Sequence, residues 1–205
     1  MKHTLKQQWD ERYSSEEYIY GESPNQYFSS QLAAMNPGHL LLPGEGEGRN
    51  AVFAALEGWR VTAFDISTEA RRKAINLATA RGVSIEYLAG EFGEFEFQNG
   101  TFDAIALIFV HMHHSDRLAY TLKLIEWLRP GGTLIMEVFS RNQIKNDSGG
   151  PKDINMLFTL EDITADLSGL TIVEAYEAEV SLSEGTWHSG RASVIRVTAV
   201  KPFAG

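Results

Sequence analysis

The sequence predicts an open, doubly wound α/β sheet of seven strands, mostly parallel, with a C-terminal antiparallel hairpin. Three observations predict it. Between residues 39 and 167 the chain reads as five strand–helix alternations. The first apolar run, Leu40-Leu41-Leu42, does not alternate with polar residues, as in a strand buried on both faces. After residue 170, two β-rich stretches flank a glycine-containing turn, the pattern of a hairpin rather than another crossover.

Taken in order, Leu5, Trp9 and Tyr13 recur at helical spacing. Ser23 is then expected to cap a helix with Pro24 at its first position. Tyr27, Phe28, Leu32 and Met35 face inward on that helix, and Asn36-Pro37-Gly38 ends it. Residues 1–37 are thus a helical appendage or lid, and 38–205 the core of a single domain. The first strand is 39–43. A helix from Arg49 to about residue 57 follows, with Val52, Phe53 and Leu56 inward and Gly58 terminating it. The second strand is 60–65. Ser67 caps the next helix, with Glu69 in its first turn and Ala70, Ala74, Leu77 and Ala78 as its packing stripe, before Gly82. Residues 84–88 form the third strand and 89–101 a loop. The fourth strand, 103–110, carries seven consecutive apolar residues and is expected at the centre of the sheet. A helix from His114 or Ser115 presents Leu118, Leu122, Ile125 and Leu128, and Arg129-Pro130-Gly131-Gly132 stops it. Strand 133–139 and a loop over 140–152 follow. Thr159 caps a short helix to Leu167, with Asp162 at its third position. Strands over 171–181 and 192–200 flank a turn at 184–190.

Two hundred and five residues suffice for one sizeable core. Eighteen basic against 27 acidic side chains give a net charge of −9, and no run of Lys or Arg interrupts it, so no nucleic-acid partner is expected. There is no cysteine, which excludes disulfides, a thiolate zinc site and thiol catalysis. His111, His113 and His114 lack a spaced acid pair, so no metal site is expected. Residues 1–10 have no signal-like apolar core and no stretch is long enough to span a membrane; a cytoplasmic protein without membrane partners is expected. No pattern sets an oligomeric state.

The chemistry gathers at the carboxyl ends of the predicted strands, where open α/β sheets bind ligands. Gly44-Glu45-Gly46-Glu47-Gly48 joins strand one to a helix whose N–H groups and positive dipole end face the loop. Asp65 ends strand two, placed to accept ribose hydroxyls. Glu91 and Phe92 follow strand three, placed for an exocyclic amine and a purine face. A dinucleotide-binding loop requires Gly-x-Gly-x-x-Gly, but counting from Gly44 its third glycine is Arg49. Glu45 and Glu47 also disfavour a pyrophosphate and suit a cationic ligand. A nicotinamide-dependent reductase is therefore the weaker reading.

The Gly-x-Gly-x-Gly loop, Asp65 and Leu128-Arg129-Pro130-Gly131-Gly132 together resemble a class I S-adenosylmethionine-dependent methyltransferase over roughly residues 39–140. Gly48-Arg49-Asn50, Trp9-Asp10-Glu11-Arg12-Tyr13, Tyr20-Gly21 and Pro24-Asn25 further resemble its tellurite-resistance and thiopurine methyltransferase-like branch. The resemblance implies a Rossmann-like fold, S-adenosylmethionine as cofactor and methyl transfer to a small-molecule acceptor, a soft nucleophile such as a thiol or a selenium or tellurium oxyanion. It implies Gly44, Gly46 and Gly48 along the methionine and ribose, Asp65 with the adjacent Ile66 at the ribose, and Glu91 and Phe92 at the adenine. Ile108 and Phe109 would lie under the cofactor near its methyl group, and Arg49 would hold its carboxylate. Where the family usually carries an acid before the loop, this chain has Leu42-Pro43, leaving Glu45 or backbone carbonyls for the cofactor amine. His111 and His188 are the candidate catalytic residues, and Tyr13 and Tyr20 the candidate lid. A non-catalytic S-adenosylmethionine-binding module is the alternative.

Overall fold

The computed structural model describes residues 4–203. Seven strands form one sheet in the order β3-β2-β1-β4-β5-β7-β6. β1 (His39–Pro43), β2 (Arg60–Asp65), β3 (Glu86–Ala89), β4 (Phe102–Ile108) and β5 (Leu128–Phe139) run parallel. β6 (Thr171–Glu184) and β7 (His188–Val200) form the antiparallel hairpin, with β7 paired to β5. The doubly wound arrangement matches the expectation, and β4 is central because its run of apolar side chains is buried on both faces. Strand order reverses between β1 and β4, where such sheets open a crevice at their carboxyl edge.

The sheet separates two apolar layers. On one face α2 (Gln26–Ala33), α3 (Arg49–Leu56) and α4 (Thr68–Ala80) pack Phe28, Leu32, Val52, Ala74 and Leu77 against β1 and β2. On the other, α5 (His114–Trp127) and α6 (Leu160–Asp166) supply Leu124, Trp127, Ile163 and Leu167. α1 (Leu5–Arg12) lies over the N-terminal end of α4, where Asp10 accepts from the Ser67 hydroxyl at 2.6 Å. No described helix is long and apolar enough to cross a membrane.

Several expectations need correction. Asn25, not Ser23, caps α2, its side chain accepting from the Phe28 N–H, and Pro24 lies outside the helix. Leu56 is 52% exposed; Ala51, Val52 and Ala54 fill the inner face of α3. On α5 the buried stripe is Arg117, Thr121, Leu124 and Trp127, while Leu118 and Leu122 face water. Both stripes have helical spacing, and Arg117 is turned inward by its ion pairs with Asp162 and Asp166 of α6. The hairpin is longer than predicted, because pairing continues to Glu184↔His188. That extension carries both residues to the rim of the crevice. Thr159 caps α6 as expected, accepting from the Asp162 N–H at 3.0 Å.

Candidate active site

A cavity of about 420 Å³ opens at the carboxyl ends of β1, β2, β3 and β4. Its floor is the β1–α3 loop. Glu45 is buried and turned back on the helix: its Oε1 accepts from the N–H groups of Asn50 and Ala51, both at 2.8 Å, and its Oε2 from Asn50 Nδ2 at 3.3 Å. The N-cap of α3 is Gly48, which has no side chain to cap with, so Glu45 satisfies the orphan donors from three residues upstream. Glu47 points the other way. Its carboxylate meets Lys73 Nζ at 2.5 Å and accepts from the N–H groups of Ile19 and Tyr20 at 3.3 and 3.2 Å. Both glutamates therefore hold protein structure while lining the cavity.

Asp65 is fixed at the end of β2. Its Oδ2 accepts from the Gly46 N–H at 3.1 Å and its Oδ1 from the Ser67 N–H at 2.9 Å. Burial pushes the Asp65 carboxyl up to about 6 and Glu45 up to about 7, against the hydrogen bonds that favour their ions. A cation entering the cavity would favour both ionised forms. Arg49, on the first turn of α3, is 6% exposed; its Nη2 bonds Glu184 at 2.7 Å, while its Nη1 is buried with no partner. An unpaired buried guanidinium nitrogen beside a cavity is suited to a carboxylate.

The walls are aromatic and apolar. Phe92 stacks on Tyr120 at 4.2 Å, and Glu91 stands exposed on the rim. Phe109 follows β4 with a φ of 54°, the sole non-glycine with positive φ among the described residues, and its ring contacts Phe139 and His188. Trp9, Tyr13 and Tyr20 close the side nearest the N-terminus, with Trp9 stacked on Tyr13 at 5.5 Å.

His111 stacks on Phe139, and its Nδ1 lies 3.0 Å from the Met156 carbonyl. Its Nε2 receives the Phe139 N–H at 3.4 Å, and desolvation holds its imidazole down at about 4. Both ring nitrogens are thus committed to backbone. His188 differs: its Nδ1 is buried without a hydrogen bond, 3.6 Å from Glu184 Oε2.

Among the predicted site residues, Gly44, Glu45, Gly46, Arg49, Asp65, Ile66, Glu91, Phe92, Ile108, Phe109, His111, His188, Tyr13 and Tyr20 all line this cavity. Gly48 does not. Its φ is +92°, and a Cβ there would lie 2.6 Å from the Ala74 Cβ, so it serves the approach of α3 to α4. Gly48→Ala is expected to cost at least about 1 kcal/mol by overpacking, read as a lowered denaturation midpoint. Sequence reasoning missed Trp9, Asn50 and Tyr120, which also line the cavity, and Glu184, which reaches Arg49 from the hairpin turn. Asn25 joins Glu184 to the fully buried Glu137, which Arg196 neutralises. Among the described residues no group of three metal-ligating side chains converges.

Residues 41–132 match the family model described as a methyltransferase domain. This stretch is a methyltransferase domain. No curated protein matches the chain in sequence. Solved structures share the fold at low identity. A protein described for the conversion of a disulfide bond into a thioacetal group during echinomycin biosynthesis superposes with a TM-score of 0.74 at 20% identity, covering 98% of this chain and 94% of that one. An S-adenosylmethionine-dependent methyltransferase from Methanosarcina mazei gives 0.65 at 17% identity, over 89% of this chain and 100% of that one. TehB from Haemophilus influenzae gives 0.72 at 15% identity, over 96% and 66%. Residues 41–132 thus carry the family match, and β1 to β4 of that stretch frame the cavity.

The raised carboxyls of the methyltransferase predict a pH signature. With a folded pKa above its unfolded value, Glu45 makes the folded state bind more protons between about pH 4 and 7, so its contribution to stability falls as pH rises through that window. The lowered imidazoles of His39, His111 and His188 act in the opposite sense, so a difference isolates the carboxyl. Glu45→Gln is expected to gain stability relative to wild type as pH is raised from about 4.5 to 7.5, measured by urea unfolding at both.

Proposed function

We propose that this methyltransferase transfers the methyl group to a small-molecule acceptor bearing a soft nucleophile, a thiol or a selenium or tellurium oxyanion, with the whole chain acting as one domain. The carrying observation is the polarity of the cavity lining: it includes both the Asp65 carboxylate and Arg49, whose buried Nη1 has no partner. S-adenosylmethionine has the matching groups, ribose hydroxyls to donate and a carboxylate to accept. On this reading Asp65 and Ile66 hold the ribose, Glu91 and Phe92 the adenine, and Arg49 the carboxylate. Glu45 Oε2, with one long bond to Asn50, keeps a lone pair for the ammonium and replaces the acid absent at Leu42. Ile108 and Phe109 floor the reacting centre. Tyr13 and Tyr20 of the 1–37 segment cover it and exclude water.

Displacement at a sulfonium methyl asks of the protein mainly alignment and desolvation. An aromatic enclosure of this size favours a small acceptor over a macromolecule. The sulfur chemistry named for the echinomycin protein supports a soft acceptor. Isothermal calorimetry with S-adenosylmethionine and its demethylated product tests the cofactor assignments; heat from both is expected, and none from either at millimolar ligand would overturn them. Incorporation of labelled methyl into thiols, selenite or tellurite is then expected. Binding without turnover on any cell-extract acceptor would leave a cofactor-holding module instead.

A further inference from the structure

The hairpin turn places a carboxylate where two site residues meet. Glu184, the last residue of β6, sends Oε2 to Arg49 Nη2 at 2.7 Å and Oε1 to Asn25 Nδ2 at 3.0 Å. The same Oε2 lies 3.6 Å from Nδ1 of His188, the first residue of β7. That distance is longer than a hydrogen bond, yet Nδ1 has no other partner. The ring is held in place by Tyr20 at 4.6 Å, Phe109 at 4.5 Å and Phe139 at 5.4 Å. No protein group is seen bonding Nε2 among the described residues. On that edge stands Gly149, with φ +119°; a Cβ there would come within 2.6 Å of Cδ2 and 3.2 Å of Nε2. The lack of a side chain at position 149 makes room for that edge of the ring.

We infer that Glu184 is the positioning residue that fixes His188 as the Nδ1–H tautomer, so that His188 Nε2 serves as general base for an acceptor that arrives protonated, such as a thiol. This rests on the methyl-transfer reading of the cavity and narrows its acceptor to one carrying a proton. The acceptor's S–H bond gives its proton to Nε2 and its electron pair to the sulfur that bonds the methyl carbon. The pair of the broken sulfonium C–S bond stays on the departing sulfur. An oxyanion acceptor would need no such base.

The groups around His188 favour a neutral imidazole at rest. Withdrawal from water lowers its pKa most, Glu184 opposes it, and Arg49 of α3 and Arg12 of α1 lower it further; His111 and Tyr20 complete the titratable surroundings. The arrangement is that of a base oriented by a carboxylate, with Nε2 left without a protein partner among the described residues.

The test is long-range nitrogen–proton NMR of the ¹⁵N-labelled protein without added ligand, with His188 assigned by His188→Gln. Neutral His188 in the wild type is expected as Nδ1–H. In Glu184→Gln its titration midpoint is expected to drop by about one pH unit, with the tautomer moving toward Nε2–H. A wild-type His188 that is Nε2–H when neutral would overturn the inference, whether or not the variant folds. So would an unchanged midpoint and tautomer in a folded Glu184→Gln. Calorimetry with the demethylated cofactor on the same samples separates the two failures: binding without the tautomer signature defeats the inference alone, and no binding defeats the cofactor assignments beneath it.

Discussion

Lys73→Met is expected to destabilise the protein by about 3–5 kcal/mol, because it strands a buried carboxylate. Lys73 and Glu47 are 3% and 1% exposed at their side chains and lie 2.5 Å apart. Lys73 also donates to the carbonyls of Ser15 and Glu17 and sits 4.9 Å from the Tyr18 ring centre. Glu47 receives the N–H groups of Ile19 and Tyr20. One buried ion pair thus staples the 15–20 segment to the β1–α3 loop, and Tyr20 stands over the cavity as a result. Urea unfolding measures the loss. The double variant Lys73→Met with Glu47→Gln is expected to recover much of it, since removing both charges avoids the unpaired ion. A single variant as stable as wild type would show that the pair contributes nothing.

The parts of this molecule legible in sequence are those set by local periodicity. β1, β2 and the packing stripe of α4 were fixed by runs and spacings that only one structure satisfies. The cavity-lining residues were legible because a doubly wound sheet puts every strand's carboxyl end at one edge. What stayed hidden depends on partners far apart in the chain. Arg117 reads as a solvent-facing residue until Asp162 and Asp166 are seen beside it. The Asn25, Glu137, Arg196 and Glu184 network joins four distant segments. Two signals were available all the same. Lys73 falls on the stripe of Ala70, Ala74 and Leu77, where a charge must be buried and paired. Glu137 is an acid in the apolar run from Leu134 to Phe139, and demands a partner for the same reason. The reading of the loop glutamates as hosts for a cation is changed in its physics. Glu47 is neutralised by Lys73 and Glu45 caps a helix, whereas Asp65 lines the cavity with no ion pair among the described residues.

That standing gives Asp65 the largest expected effect on binding. Asp65→Ala is expected to weaken S-adenosylmethionine by roughly 1–3 kcal/mol, about 5- to 150-fold in dissociation constant. Each of its oxygens accepts one backbone N–H, from Gly46 and Ser67, and Asp65 lines the cavity. A ribose with two hydroxyls can use both. The Gly46 and Ser67 bonds hold the carboxylate in place before the ligand arrives, so little side-chain entropy is lost on binding. Its pKa near 6 adds a check that a purely structural role would not pass. Hydroxyl donation favours the ionised form, so wild-type affinity is expected to fall as pH drops below about 6, and Asp65→Ala is expected to lose this limb and keep only that of Glu45, whose carboxyl is pushed up to about 7. Asp10 beside it stays ionised to about 2, since Lys6 and Ser67 outweigh its burial, and so does not titrate in that range. Calorimetric titrations at several pH values read both effects. A folded variant with an unchanged dissociation constant would move the ribose to another part of the cavity.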